Sequence, residues 1–234
     1  MSGDAAHRRG REAGQRNGLR TGLRTGLLGG SFNPAHGGHR RITLFALNML
    51  GLDEAWWLVS PGNPLKPKAG MAPLAKRLAS ARMQARRAPI RVTAIERELG
   101  TRFTVDTLRA IIRRWPARRY VWLMGADNLA QFHRWKHWRT IARMMPIAVI
   151  ARPGYDAVAT ASPAMAWLGR YRVSAASLRN RKGWSAPALV LLRFDPDSRS
   201  ATAIRRADPQ WADRVSAKSL RDGVTHRPVP EDAA

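Results

Sequence analysis

"GLLGGSFNPAHGGHR", residues 26–40, combines five glycines with two histidines that stand three positions apart. Glycine lets a backbone approach a ligand closely, and side chains three apart in a helix share one face. The pattern predicts a strand that ends at Gly29 and Gly30, then a turn, then a helix that begins at His36 and His39. Backbone amides and the positive end of such a helix attract an anion, to which imidazole N–H groups also donate. The stretch therefore indicates a phosphate site.

Two common phosphate-binding loops do not describe this stretch. It lacks the Gly-Lys-Ser/Thr of a Walker loop, and its glycines do not have the spacing of a dinucleotide-binding turn. An ordinary first helix turn with two incidental histidines is the alternative interpretation.

Apolar runs of strand length alternate with segments of helical period along the rest of the chain. We predict strands at 26–30, 55–60, 90–95, 119–125, 147–151 and 188–194, and helices at 38–50, 73–87, 104–114 and 136–144. This alternation is typical of βαβ units, in which helices cover both faces of a parallel sheet. The fold class is therefore α/β, a Rossmann-like, doubly wound parallel sheet that binds ligands at the carboxyl ends of its strands. Trp56 and Trp57 are adjacent in a strand, so we expect one under each helical layer.

The composition predicts one folded domain with two polar ends. We expect a disordered basic tail at residues 1–24, the domain at 25–212 and a polar C-terminal tail at 213–234 that frays. The chain contains no cysteine, which excludes disulfides, thiolate metal sites and a cysteine nucleophile. No apolar run approaches the roughly 20 residues that span a bilayer, and no secretory apolar segment follows the basic N-terminal residues. We therefore expect a soluble, cytoplasmic protein with no membrane partner.

The charge of the chain leaves its function open. The 234 residues carry a formal net charge of +25, and all but six of the 41 basic residues are arginine. Such a charge is compatible with nucleic acid or another phosphate-rich partner. A chain rich in arginine and alanine also follows from GC-rich codon usage alone.

"GGSFNPAHGGH", residues 29–39, resembles the HxGH nucleotidyltransferase motif, and its Asn-Pro version is similar to that of the nicotinate-nucleotide adenylyltransferases. Three further stretches agree with this family: NPLK at 63–66, FTVDTL at 103–108 and GADNLAQFHRWKHWRTI at 125–141. The resemblance extends over most of residues 25–206 and implies the HxGH nucleotidyltransferase type of sheet.

The resemblance also implies a reaction. ATP and nicotinate mononucleotide give nicotinate adenine dinucleotide and pyrophosphate, a step in NAD biosynthesis, with Mg²⁺ carried on ATP. The phosphate of the mononucleotide attacks the α-phosphorus in line, so no protein nucleophile is required. His36, His39 and Arg205 are the implied catalytic residues, because they would neutralise charge on the leaving pyrophosphate.

Two basic segments compete for the family's C-terminal Ser-Thr-Ile-Arg motif, which holds the ATP phosphates. SAASLRNR at 174–181 fits loosely, whereas SRSATAIRR at 198–206 follows the last predicted strand and matches Ser-x-Thr-x-Ile-Arg. We therefore predict Arg205 rather than Arg179, although Ala207 stands where the family often has a second arginine. The implied ATP-binding residues are Gly29, Gly30, Ser31, Phe32, His36, His39, Ser200, Thr202, Ile204 and Arg205.

The residues implied for nicotinate mononucleotide are Asn63, Lys66, Thr104, Asp127, Trp135 and Lys136. Trp135 would stack on the nicotinate ring, and Asp127 would accept from ribose hydroxyls. Alternative interpretations are a core tryptophan for Trp135, a helix N-cap for Asp127 and a surface lysine for Lys66. Trp138 is assigned to the core.

No protein metal site is predicted. His133 and His137 are four apart, but no acidic residue or third histidine stands near them at ligand spacing. We expect phosphate oxygens and water to hold Mg²⁺.

Two other functions stay open. One is a sister nucleotidyltransferase of the same fold that uses nicotinamide mononucleotide, phosphopantetheine or a cytidine nucleotide. The other is a non-catalytic relative that binds nucleic acid tightly, with an affinity that falls with salt and survives loss of both His36 and His39. The oligomeric state is also open, a homo-oligomer included.

Overall fold

The structure is a computed structural model that describes residues 22–62, 70–151, 161–180, 184–194 and 200–231. Asn63 and Lys66 lie outside the described residues, as does most of the basic segment 1–24. Across the described ranges, no helix is both long enough and apolar enough to cross a membrane.

Six parallel strands form one sheet in the order β3-β2-β1-β4-β5-β6. They are β1 (Arg24–Gly30), β2 (Glu54–Val59), β3 (Ile90–Thr93), β4 (Arg119–Gly125), β5 (Ile147–Ala151) and β6 (Leu189–Arg193). All six predicted strands are confirmed, and the α/β doubly wound fold with them. The strand order reverses between β1 and β4, which is the point where such sheets bind ligands.

Helices cover both faces of this sheet. Among the described residues the α-helices are α1 (Gly37–Leu50), α2 (Leu74–Ala85), α3 (Ile95–Glu98), α4 (Thr104–Arg114), α5 (Ala126–Gln131), α6 (Trp138–Met144), α7 (Pro163–Leu168), α8 (Ala175–Arg179) and α9 (Ala201–Ala207). Single 3₁₀ turns lie at Phe132–Arg134 and Gly169–Tyr171. The four predicted helices are confirmed as α1, α2, α4 and α6, and the remaining helices are short.

The two tryptophans of β2 enter different cores, as their alternation predicts. Trp57 packs with residues of α1 and α2, whereas Trp56 packs with residues of α4 and α6. Each indole N–H has a partner: Trp57 Nε1 donates to Thr43 Oγ1 at 2.9 Å and Trp56 Nε1 to Glu54 Oε1 at 2.7 Å. Trp138 is buried in the second core, as expected.

Close packing explains a glycine at the end of the central strand. A Cβ atom on Gly29 would lie 2.7 Å from Cη2 of Trp122, which is carried by the neighbouring β4. No real Cβ contact is that short, so the tryptophan ring needs a bare backbone beside it. Part of the glycine content of residues 26–40 therefore serves strand packing.

The C-terminal segment differs from the expectation of a fraying tail. Residues 208–231, the C-terminal strap, pack along the outer edge of β3, and Ala217, Leu220 and Val229 are buried in the core of α1 and α2. Gly223 N donates to the carbonyl of Val92 at 2.8 Å. The few apolar residues of this segment are buried or half-buried. Hydrophobic periodicity does not reveal this, because they are too sparse to form a pattern.

The N-terminal boundary also differs slightly from the expected residue 25. Arg24 is the first residue of β1, where its backbone N–H donates to Asp53 Oδ2 at 2.7 Å. Gly22 N already donates to the carbonyl of Ala117 at 2.8 Å. The ordered strand thus reaches into the stretch that composition assigns to the tail.

Candidate active site

A cleft of about 220 Å³ opens at the carboxyl edge of the sheet, next to the switch point between β1 and β4. Its walls come from the end of β1 (Gly29, Gly30, Ser31), the residues after β2 (Ser60, Gly62), α3 (Glu96), the approach to α4 (Arg102, Phe103, Thr104), α5 (Asn128) and the segment Arg134, Trp135, Lys136, with Trp122 between them. Loops from several strands thus converge on one space, as expected for a ligand site of this fold.

The two histidines of the opening motif form a capping box at the start of α1. His36 is the N-cap residue, and its Nδ1 accepts from Gly38 N at 3.1 Å. His39 Nδ1 in turn accepts from His36 N at 3.2 Å, and the two ring centroids are 3.9 Å apart. Because each Nδ1 accepts a backbone N–H, the neutral imidazole carries its proton on Nε2. Both rings are therefore oriented as Nε2–H donors, which suits a phosphate oxygen.

Phe32 packs against the ring of His39. Its side chain is buried, stacks on Trp57 with centroids 5.0 Å apart, and lies 5.0 Å from the ring of His39. The backbone of Phe32 has a positive φ of 46°, a conformation that costs energy outside glycine and is held here by the stacked ring. The side chain of Phe32 is thus packed between Trp57 and His39 rather than exposed to a ligand.

The C-terminal helix α9 meets the same loop. Arg205 Nη1 donates to the carbonyl of Asn33, and Arg205 Nη2 lies 3.4 Å from Thr202 Oγ1. Ser200 is the N-cap of α9, and its Oγ accepts from Ala203 N at 3.1 Å. The predicted segment 200–205 therefore meets the loop between β1 and α1 through Arg205, and Ile204 is half-buried in the same helix.

The competing segment lies elsewhere. Arg179 Nη1 donates to the carbonyl of Asn48 at 2.7 Å, near the C-terminal end of α1. Its own carbonyl accepts from Arg24, the first residue of β1. Arg179 is thus at the amino edge of the sheet, opposite the cleft.

Three of the residues implied for the mononucleotide line the cleft. Trp135 packs edge to face against Trp122 and Phe132, at 6.2 and 5.3 Å between centroids, and is half-buried. Thr104 is the first residue of α4, whose N-cap side chain makes no capping bond. Lys136 Nζ lies 4.3 Å from the centroid of Phe103.

Asp127 lies at the edge of the site rather than in the walls of the cleft. It follows β4 at the start of α5 but is exposed, and it is absent from the walls of the cleft, where the neighbouring Asn128 lies. A Cβ on Gly125 would be 2.4 Å from Asp127 Oδ1, which shows that the carboxylate folds back over that glycine. Asp127 thus lies at the outer margin of the site.

Arg77, in α2, is a central residue that our sequence analysis missed. Its side chain is 1% exposed. Nε donates to Ala72 O at 2.8 Å, Nη1 to Ser31 O and Ser60 O at 2.8 and 2.6 Å, and Nη2 to Pro61 O at 3.1 Å. One guanidinium thus ties the ends of β1 and β2 to the start of α2. Burial lowers the pKa of Arg77 to about 10, which Glu96 partly counteracts.

Glu96 is a second residue that the motifs did not indicate. It follows β3 in the single turn of α3 and lines the cleft. Burial raises the pKa of Glu96 to about 7, while a hydrogen bond from the Ser60 side chain and the charge of Arg77 pull it down. Two exposed arginines, Arg102 and Arg134, also line the cleft and add positive charge to that of Lys136.

Known proteins share much of the sequence of this chain. A model of the cytidylyltransferase-like family matches residues 27–207. A protein of Erythrobacter litoralis named "probable nicotinate-nucleotide adenylyltransferase" is 72% identical over 202 residues, 86% of this chain and 92% of the relative. The chain belongs to the nicotinate-nucleotide adenylyltransferases of the cytidylyltransferase-like family. A member of this family from Parvibaculum lavamentivorans is 52% identical over 178 residues, 76% of this chain and 89% of the relative.

Solved structures share the fold at low sequence identity. Nicotinic acid mononucleotide adenylyltransferase of Plasmodium falciparum, complexed with APC, superposes with a TM-score of 0.55 at 14% identity, over 79% of this chain and 83% of that one. The same protein complexed with NaAD gives a TM-score of 0.57 at 15% identity, over 78% and 82%. At such identities the likeness concerns the architecture of the family.

The described residues contain no group of three or more His, Cys, Asp or Glu side chains that could hold a metal ion. Besides the Glu96 carboxylate, the charged side chains that line the cleft are the cations Arg102, Arg134 and Lys136, which suit phosphate oxygens.

Proposed function

We propose that the protein transfers the adenylyl group of ATP to nicotinate mononucleotide, giving nicotinate adenine dinucleotide and pyrophosphate for NAD biosynthesis. The capping box carries this proposal, because it orients His36 and His39 as Nε2–H donors at the start of α1. The loop that leads to this helix from β1 begins with residues that line the cleft, Gly29, Gly30 and Ser31. The relatives that match this chain over most of their length carry the name of that activity. Without cysteine the chain gives no indication of an oxidising compartment, and we assign the enzyme to the cytoplasm.

The reaction needs two polyanions held in line and no group on the protein that forms a covalent bond. A phosphate oxygen of the mononucleotide forms a bond to the α-phosphorus of ATP, and the bond from that phosphorus to the bridging oxygen breaks as pyrophosphate leaves. ATP enters as its Mg²⁺ complex, so the metal is part of the substrate and is held by phosphate oxygens and water. The tasks left to the chain are positioning and charge stabilisation.

We assign the ATP phosphates to the loop between β1 and α1. The groups that meet them are the backbone of Gly29, Gly30 and Ser31 and the Nε2–H groups of His36 and His39. Ser200, Thr202 and Arg205 close this side from α9, since Arg205 already contacts the loop at Asn33. These donors supply the positive potential that the leaving pyrophosphate requires.

We assign the nicotinate ring to Trp135 and its carboxylate to the start of α4. Thr104 and Val105 are the first residues of that helix, and their N–H groups precede its first turn bonds, which run from Asp106 and Thr107 to Phe103 O. Such N–H groups are donors that cannot turn into acceptors. Lys66 and Asn63 keep their predicted role at the mononucleotide phosphate, outside the described residues.

The acid should be preferred over its amide. Fixed backbone donors satisfy both oxygens of a carboxylate, whereas the NH₂ of nicotinamide mononucleotide faces them as another donor and leaves one group unpaired. An unpaired buried polar group costs about 1–3 kcal/mol, so we expect kcat/KM to be roughly 10- to 150-fold higher for the acid. Steady-state pyrophosphate release with each mononucleotide measures the ratio, and the preference should largely persist in high salt because screening affects mainly exposed charges.

Other outcomes of that assay separate the alternatives. Equal use of acid and amide would remove the nicotinate assignment and keep the adenylyltransferase. Turnover with phosphopantetheine or a cytidine nucleotide alone would indicate a sister enzyme. No turnover, combined with salt-sensitive oligonucleotide binding that survives loss of His36 and His39, would indicate a nucleic-acid-binding relative.

A further inference from the structure

The cleft holds a negative charge although the net charge of the proposed substrate is itself negative. Among the described residues that line it, Glu96 is the one carboxylate, and the cations Arg102, Arg134 and Lys136 stand around it. Nicotinate mononucleotide is anionic at both ends, at its phosphate and at its carboxylate. A carboxylate that faced either end would repel the substrate.

Two neighbouring side chains, Ser60 and Arg77, hold Glu96 in place. The Ser60 hydroxyl hydrogen-bonds its carboxyl group, and the charge of Arg77 attracts it. The N–H groups of Arg77 donate to backbone carbonyls, among them Ser31 and Ser60. Within the described residues, Arg77 therefore attracts the carboxylate by charge without chelating it, which leaves Glu96 able to accept further hydrogen bonds on the cleft side.

Between its two anionic ends the substrate offers one set of donors, the neighbouring 2′- and 3′-hydroxyls of its ribose. We propose that Glu96 accepts hydrogen bonds from these ribose hydroxyls and makes the enzyme require an intact ribose on the mononucleotide. This inference rests on the proposed function. It takes over the ribose contact that the sequence assigned to Asp127, whose exposed carboxylate folds over Gly125 outside the walls of the cleft.

The selectivity between acid and amide tests whether Glu96 lies near the ribose or near the pyridine substituent. A carboxylate next to the pyridine substituent would attract the NH₂ of the amide and repel the acid, so its removal would raise the preference for the acid. A carboxylate next to the ribose meets the same hydroxyls in both mononucleotides. On our proposal, Glu96→Gln leaves the acid-to-amide ratio of kcat/KM unchanged.

The main experiment combines Glu96→Gln with substrates that lack the 2′- or the 3′-hydroxyl. For nicotinate mononucleotide we expect kcat/KM to fall about 10- to 100-fold, mainly through KM, because a charge-assisted hydrogen bond is lost. One of the two deoxy analogues lacks the hydroxyl that Glu96 binds. With that analogue, the kcat/KM values of wild type and variant should differ by less than about threefold, because the effects of removing two groups in contact are not additive. Assays at pH 8 keep the Glu96 carboxyl mainly ionised, as its pKa is about 7.

Two further variants control for folding. Glu96→Asp keeps the negative charge opposite Arg77 but shortens the side chain by one methylene, which moves the carboxylate away from the ribose. It should therefore show the same loss of kcat/KM for the ribose substrate, with an unchanged melting temperature. Glu98→Gln is the matched control in the same turn, because Glu98 pairs with Arg114 and Arg227 outside the cleft. It should leave kcat/KM unchanged.

Three results would overturn the inference: an unchanged kcat/KM in both Glu96 variants, an equal fold loss with ribose and deoxyribose substrates, or a changed acid-to-amide ratio. If Asp127→Asn instead gave the non-additive pattern, the ribose contact would belong to Asp127. A wild-type protein that does not adenylylate nicotinate mononucleotide would refute the proposed function itself, which separates the two failures.

Discussion

His36 and His39 show how a local motif sets the chemistry of a side chain. Each Nδ1 accepts a backbone N–H at the first turn of α1, which directs the remaining ring proton to Nε2. An imidazolium would lose the capping bond at Nδ1, so capping favours the neutral ring. The same two bonds that stabilise the helix start therefore define a pair of neutral donors.

Replacing His39 by alanine should reduce turnover by roughly 10²-fold or more, about 3 kcal/mol, because its donor is needed when charge develops on pyrophosphate. The loss of the capping bond should lower the free energy of unfolding by only about 1 kcal/mol. Steady-state rates and a thermal melt measure the two effects. His226→Ala, an exposed histidine of the C-terminal strap, is the control and should keep full turnover. A well-folded His39→Ala that retains half of wild-type turnover would contradict this role.

At this scale the sequence predicts residues whose role is local and misses those whose role is tertiary. The histidine pair is readable because its spacing alone places both rings in one helix turn. Arg77 and Glu96 belong to no sequence motif, because their roles depend on contacts between segments that follow three different strands. One signal was present: Arg77 lies on the apolar face of α2 between Leu74, Leu78 and Ala81, where a solvated arginine is not expected.

At the scale of elements, the order of strands and long helices was predictable and the short connections were not. Runs such as AWWLVS and RYVWLMG are long enough and apolar enough to identify β2 and β4. The helices α3, α5, α7 and α8 have four to six residues each, too few for helical periodicity. Among them, α3 places Glu96 in the wall of the cleft.

The helix α9 gives a prediction at this scale. Arg205→Ala should raise the KM for ATP and lower kcat, because Arg205 connects α9 to the loop of His36 and His39 through Asn33. Arg179→Ala should change neither parameter appreciably, since Arg179 contacts Asn48 at the opposite edge of the sheet. Steady-state kinetics with varied ATP compare the two variants. The reverse result would transfer the phosphate-binding role to α8.

At the scale of the whole molecule, the C-terminal strap links the edge of the sheet to the cleft. Asp222 is buried and uses both carboxylate oxygens: Oδ2 accepts from Thr93 Oγ1 and Ala94 N at 2.8 and 2.7 Å, and Oδ1 from Val224 N and Thr225 N at 2.8 and 2.9 Å. Ala94 immediately precedes α3, the turn that carries Glu96. Composition could not predict this link, because the strap is polar and nothing in the sequence distinguishes its one buried carboxylate, Asp222, from an exposed aspartate.

Asp222→Ala should therefore affect both stability and substrate binding. It leaves buried N–H and O–H donors without their acceptor, which costs about 2–3 kcal/mol and lowers the melting temperature of a domain of this size by roughly 4–10 °C. Because Ala94 is released with them, α3 should lose its fixed position, and the KM for nicotinate mononucleotide should rise more than the KM for ATP. Asp213→Ala removes an exposed carboxylate from the same strap and serves as the control, with melting temperature and both KM values expected to stay at the wild-type level. If Asp222→Ala melted like the wild type, the strap would be a dispensable tail after all, whereas a lower melting temperature with unchanged KM values would confine its role to stability.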